Sequence, residues 1–241
     1  MQILSNMKKT AVIDKPIKFG CEFCKREFVR ERTLLSHLCE FKQRWVNRDT
    51  KGVRLGFHAW LQFYAKHSMS KIKNKTHEEF IKSPYYISFV KFGNYCVDVN
   101  AINPSRYIDW LLQNNIKLEN WSSDTNYTKF VHEYLRTEDP YDAVHRGVEY
   151  CMELGKAEHI LPHDCLRYAN SNRICHAITT GKISPWMLYQ SSSGVKFLSG
   201  LHVDQEKLIM DYINPEQWAL KFHREPELAK SIKELLRDAG Y

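Results

Sequence analysis

No run of about 18 apolar residues occurs in this 241-residue chain, so no membrane-spanning helix is expected. The opening M-Q-I-L-S-N-M-K-K-T has no apolar core followed by a small-residue cleavage site, so no secretory signal is expected either. A Walker loop, a dinucleotide fingerprint, H-E-x-x-H and G-x-S-x-G are all missing, and no common catalytic motif takes their place. Low-complexity tracts and repeats at solenoid spacing are absent. Alternating apolar and polar runs are scarce; the two candidate strands are 95–99 and 194–198. Net charge is also lacking over most of the chain. Residues 1–55 hold thirteen Lys and Arg against six Asp and Glu, and the remaining 22 basic and 22 acidic residues cancel. The whole excess of +7 therefore lies in the first quarter, which points to a polyanion contact there.

The rest of the composition is that of a soluble globular protein, 43% hydrophobic and 26% charged. The length allows a small module plus a domain of about 180 to 190 residues. Seven cysteines are an odd number for a disulfide framework, and without an export signal a reducing compartment is expected.

The segment F-G-C-E-F-C-K-R-E-F-V-R-E-R-T-L-L-S-H-L-C, residues 19–39, names its own chemistry. Cys21 and Cys24 are separated by two residues, His37 follows after twelve more, and Cys39 lies two positions beyond. Sulfur and imidazole ligands of this kind suit a tetrahedral zinc ion, Zn2+. So few residues cannot bury enough apolar surface to fold alone, and metal binding supplies the missing folding energy. Phe28 and Leu34 are the expected core inside the metal loop. Residues two apart on a helix point about 200° apart, so the helix delivering His37 must end or tighten there if Cys39 is to reach the same ion. Cys39 is the expected fourth ligand, with a distal histidine, nearest His58, as the alternative.

Through His37 this segment resembles the ββα zinc-finger family with two cysteines and two histidines. Phe19, Cys21, Cys24, Phe28, Leu34 and His37 match that family's spacing, and Cys39 stands where the family has a last ligand further on. The resemblance implies a small ββα unit. It also implies base contacts from one position before the helix and from its third and sixth residues, which are Arg30, Thr33 and Ser36 here. Lys25, Arg26, Arg32, Lys42 and Arg44 are the candidate phosphate contacts. One finger spans only about three base pairs, and many single fingers bind proteins, so both DNA or RNA and a protein partner stay open.

Three segments are expected: a flexible basic arm over 1–18, the finger over 19–44, and a mostly helical domain over 45–241. The fold class is thus mainly α, a small N-terminal ββα-like zinc finger followed by a multi-helix domain. Val53, Phe57, Trp60, Leu61 and Tyr64 line one helix face. Thr76 with Glu79 is a capping box, and Asn103-Pro104, Asp139-Pro140, Ser184-Pro185 and Asn214-Pro215 each pair a cap with a first-turn proline. Tyr127, Phe130, Val131, Tyr134 and Leu135 form the cleanest apolar stripe. The helix opened by Pro140 is expected to stop near Gly155, and the last one near Gly240.

His159, His163, Asp164, Cys165, Cys175 and His176 form a second cluster of metal-type residues, but Pro162 interrupts any helix joining the first two. Buried cysteines and surface histidines are the simpler account. Asp98, Asp109 and Asp124 are too scattered for a two-metal nuclease, and most aromatics sit at core spacing. Taken whole, the chain resembles a group of uncharacterised proteins of large contractile-tailed bacteriophages. The resemblance rests on the finger, on S-P-Y-Y-I-S-F-V-K-F-G at 83–93, I-N-P at 102–104, I-S-P-W at 183–186 and I-N-P-E-Q-W at 213–218. It implies expression in a bacterial host cytoplasm and a role in DNA metabolism, transcription or particle assembly. The leading expectation is a nucleic-acid-binding protein that positions a phage or host partner. Structural and nuclease roles are second and third.

Overall fold

A computed structural model of the chain describes residues 18–67 and 75–241. The expected arm therefore lies outside the described residues except for Lys18, whose ammonium pairs with Glu27 at 2.6 Å. Strands β1 (Phe19–Gly20) and β2 (Glu27–Phe28) pair antiparallel with Phe19 opposite Phe28, and helix α1 (Glu31–Ser36) follows. Everything else among the described residues is helix, turn or irregular chain. The molecule is mainly α, as the helical periodicity and the scarcity of alternating runs imply.

Residues 43–50, polar apart from Trp45 and Val46, are mostly helical. Helix α2 (Glu40–Val46) and a 3-10 turn at Asn47–Asp49 lead, through the single extended residue Thr50, into α3 (Lys51–His67). Next come α4 (His77–Lys82), α5 (Tyr86–Asp98), α6 (Pro104–Gln113) and α7 (Asp124–Thr137). They surround a first core in which Phe89, Phe92, Tyr107, Ile108, Leu111 and Trp121 are fully buried. Helices α3 and α5 cross at backbone contact. A Cβ on Gly93 would lie 1.9 Å from the Gly52 carbonyl oxygen and 2.6 Å from the Gly56 nitrogen, so only glycine fits there.

A second core lies under α8 (Pro140–Glu158), α9 (Cys165–Tyr168), α10 (Ser171–Thr179), α11 (Pro185–Gln190), α12 (Ser192–Ser199), α13 (Val203–Ile213), α14 (Pro215–Arg224) and α15 (Pro226–Asp238). Its centre includes Ile174, Ile178, Trp186, Met187 and Ile232. Tyr212 packs against both cores, with its ring 4.1 Å from that of His132 on α7. Among the described residues, four of the five Pro-initiated α-helices start where the expected caps place them. Asn103, Asp139, Ser184 and Asn214 each accept a backbone N–H from the first turn. Thr76 and Glu79 form the expected capping box.

Three local expectations fail. The candidate strands 95–99 and 194–198 are instead the last turn of α5 with its C-cap Val99 and the interior of α12, where Cys96 and Phe197 are buried at helical spacing from their neighbours. Helix α8 continues past Gly155 to Glu158 and is capped by His159 in the left-handed region at φ 58°. Gly155 is instead a close approach, since a Cβ there would meet the Ile160 oxygen at 2.5 Å.

Candidate metal centre

The centre is assembled by two tight turns and one interrupted helix. Leaving β1, Cys21 accepts the Lys25 backbone N–H at 2.8 Å and donates its own to the Arg26 carbonyl at 2.9 Å. These bonds close the knuckle that holds the Cys21 and Cys24 sulfurs, with Lys25 in the left-handed region at φ 60°. Helix α1 then stops at Ser36. His37 is extended, with ψ 119°, and so is Cys39, the N-cap of α2. The helix ends rather than tightens at His37, and the extended step brings the fourth side chain round to the other three.

The Cys21, Cys24, His37 and Cys39 ligand atoms all lie within 4.8 Å of one another. Cys24 Sγ is 3.2 Å from His37 Nε2, and Cys21 Sγ is 3.9 Å from Cys39 Sγ. Around a tetrahedral ion with metal–sulfur bonds of about 2.3 Å, sulfurs stand about 3.8 Å apart and a sulfur–nitrogen pair about 3.5 Å apart. The observed separations bracket those values, so the set fits one metal ion with four protein ligands. His37 packs on Phe28 with ring centroids 4.8 Å apart, and the Arg26 guanidinium lies over the Phe28 ring at 5.6 Å. Phe28 and Leu34 are both half-buried, too little apolar burial to hold the unit without an ion.

His58 is not part of this group; its Nε2 lies 3.2 Å from Ser105 Oγ. Among the described residues no other group of three or more His, Cys, Asp or Glu side chains is arranged to hold a metal. The second sequence cluster is dispersed. His163 faces Asp164 at 3.8 Å, His159 caps α8, and Cys165 and Cys175 are buried thiols, as are Cys96 and Cys151. Asp124 accepts the Tyr95 hydroxyl at 3.0 Å.

The residues expected to touch nucleic acid divide into two sets. Lys25, Arg26, Arg30, Arg32, Thr33 and Ser36 are exposed. Arg30 is the N-cap of α1, Thr33 its third residue and Ser36 its sixth. Ser36 donates its hydroxyl to the helix carbonyls of Arg32 or Thr33, each at 3.2 Å. Lys42 and Arg44 face inward. Lys42 donates to the His37 carbonyl at 3.1 Å. The Arg44 side chain is 14% exposed, pairs with Glu40, donates to the Ile81 carbonyl at 2.6 Å and stacks on Tyr86 at 4.4 Å.

Two features had no sequence counterpart. The first is an aromatic seam that fastens the knuckle to the helices: Phe23 packs on Trp45, Trp45 meets His77 edge-on at 5.9 Å, and His77 meets Phe57 at 5.0 Å. Neither His77 ring nitrogen meets a hydrogen-bond partner from another residue, and burial holds its pKa below the usual histidine range. Two aromatic residues in otherwise polar stretches, Phe23 and Trp45, were the available signal. The second is Glu138, whose carboxylate is fully buried where the two cores meet. It contacts Arg146 at 2.6 Å and accepts the Ser184 hydroxyl at 2.8 Å. Burial raises its pKa to about 7 against the opposing pull of Arg146 and Ser184.

No helix among the described residues is long and apolar enough to cross a membrane. No family model, curated protein or solved structure matches the chain.

Proposed function

We propose that residues 19–39 bind one zinc ion, and that the resulting knob binds nucleic acid while the helical part carries a protein partner. The observation that carries this reading is the convergence of three thiol sulfurs and one imidazole beneath a helix whose Arg30 and Arg32 have no ion-pair partner among the described residues. Three soft sulfurs with one nitrogen favour zinc over the harder divalent ions, and four protein ligands leave no open position for catalysis. The metal is structural: it replaces the core that Phe28 and Leu34 are too few to make.

Arg30, Arg32, Arg26 and Lys25 supply phosphate attraction, with Arg30 placed to fork onto a guanine edge. Arg44 and Lys42, turned inward, contribute field rather than contact. A role in phage DNA metabolism or transcription is supported by the order of the sequence motifs alone.

A second reading, the finger as a protein-docking module of a phage particle, is favoured by one observation. Val29, Leu35 and Leu38 expose 73%, 73% and 60% of their surface on the same small unit.

Zinc analysis coupled to a binding titration at two salt concentrations tests both. The nucleic-acid reading expects one zinc per chain, affinity that falls steeply with salt, and a salt slope lowered by about two in the variant Arg30→Ala with Arg32→Ala. Absence of zinc, or affinity indifferent to salt, rejects it. Recovery of the chain in purified particles at fixed copy number would favour the docking module.

A further inference from the structure

A cleft of about 350 Å³ opens between the metal knuckle and α4, lined by Phe23, Trp45, Lys25, Lys82, Glu22 and Glu78. Its size falls within the range of small-ligand sites, about 300 to 1,000 Å³. Two half-buried rings present surface to it. Two cations and two carboxylates surround those rings, and among the described residues none of the four makes an ion pair or a side-chain hydrogen bond. Opposite charges that share a cleft without neutralising one another suit a ligand that brings both acceptors and donors. Lys25 sharpens the point. Its left-handed backbone is a conformation that glycine adopts without cost, so the turn itself has no use for the lysine side chain.

We propose that this cleft takes an unpaired base of the nucleic acid bound by the finger, an inference that rests on the nucleic-acid reading above. The base stacks on Phe23 and Trp45. Its amino and imino N–H groups donate to Glu22 and Glu78, and the flanking phosphates meet Lys25 and Lys82. In a duplex those N–H groups are paired and the base faces are stacked, so the cleft selects single-stranded or flipped nucleotides.

The test uses the full-length, metal-loaded protein and mixed-sequence oligonucleotides, single-stranded and duplex, followed by fluorescence anisotropy and Trp emission. The decisive variant is Glu22→Ala with Glu78→Ala. Removing two negative charges tightens any purely electrostatic contact, whereas the cleft predicts single-strand affinity about tenfold weaker with duplex affinity unchanged or higher. Lys25→Gly, which relaxes the turn, is expected to keep its zinc and lose single-strand affinity more than duplex affinity. Tryptophan emission is expected to fall on binding single strands, and in Trp45→Phe that change is lost. If the acidic double variant tightens both forms alike, the cleft is empty of bases and the finger reading stands. If the wild-type protein binds neither form, both readings fail together.

Discussion

The rings of Phe23 and Trp45 lie 6.3 Å apart at 47°, and this contact joins the metal knuckle to the first helical core. Phe23 sits between the two knuckle cysteines, and Trp45 is on α2, which begins at the fourth ligand. Metal binding and the seam with α4 are thereby mechanically linked. Stripping the metal with a strong chelator is expected to change tryptophan emission while leaving most far-UV helicity, because both helical cores lie beyond residue 52. Trp45→Ala is expected to destabilise the protein by about 2 kcal/mol, below the 3–5 typical of a fully buried ring, and to speed zinc loss to a colorimetric chelator. Zinc loss at the wild-type rate would show that the knuckle and the helices are independent.

Gly93→Ala tests the α3–α5 crossing. The added Cβ would meet backbone at 1.9 Å, and backbone cannot rotate away as a side chain can. The helices must separate, loosening the packing of the buried Phe89 and Phe92 on α5. Overpacking usually costs about 1–3 kcal/mol, and a clash with the fixed backbone of α3 places this substitution at or above the upper end. A thermal-melt comparison checks it. Gly200→Ala is the control, since its nearest outside atom would be 3.5 Å away, and it is expected to leave the midpoint unchanged or slightly raised.

Part of this architecture was legible because its causes are local. A cap residue followed by proline needs no tertiary partner, so Asn103, Asp139, Ser184 and Asn214 announce their helices in one dimension. The metal ligands are equally readable, since ligand type and spacing are themselves the chemistry. The failures depend on distant chain. Arg44 looks like a phosphate contact until Ile81 and Tyr86 fold over it. Gly155 resembles a helix stop until the chain returning through Ile160 reveals a packing site. Short runs rich in aromatic and β-branched residues, such as 95–99, fit either period, and only the burial of Cys96 decides between them. The division into two cores, with Tyr212 touching both, left no compositional trace.

Glu138 makes the junction of those cores sensitive to pH. Its carboxyl titrates at about 7 in the folded chain and near 4.5 when exposed, so the folded state holds the proton more tightly. Between those two values folding retains a proton that the unfolded chain has released, and stability falls as pH rises. The effect reaches at most about 3 kcal/mol and is complete above pH 7. Two histidines oppose it. Burial lowers the pKa of His77, with Arg48 adding to the effect and Asp49 opposing it. It also lowers that of His132, where Asp211 opposes and Arg136 adds. Each costs stability as pH falls below the usual histidine value of 6.5. The raw pH profile therefore mixes both signs, and the difference between wild type and Glu138→Gln isolates the carboxyl. Gln keeps an oxygen for the Ser184 hydroxyl but cannot titrate. Denaturant midpoints at pH 5, 6 and 7 are expected to show the wild type losing stability relative to the variant as pH rises. A constant difference would mean that Arg146 holds Glu138 ionised throughout, and that the ion pair outweighs burial.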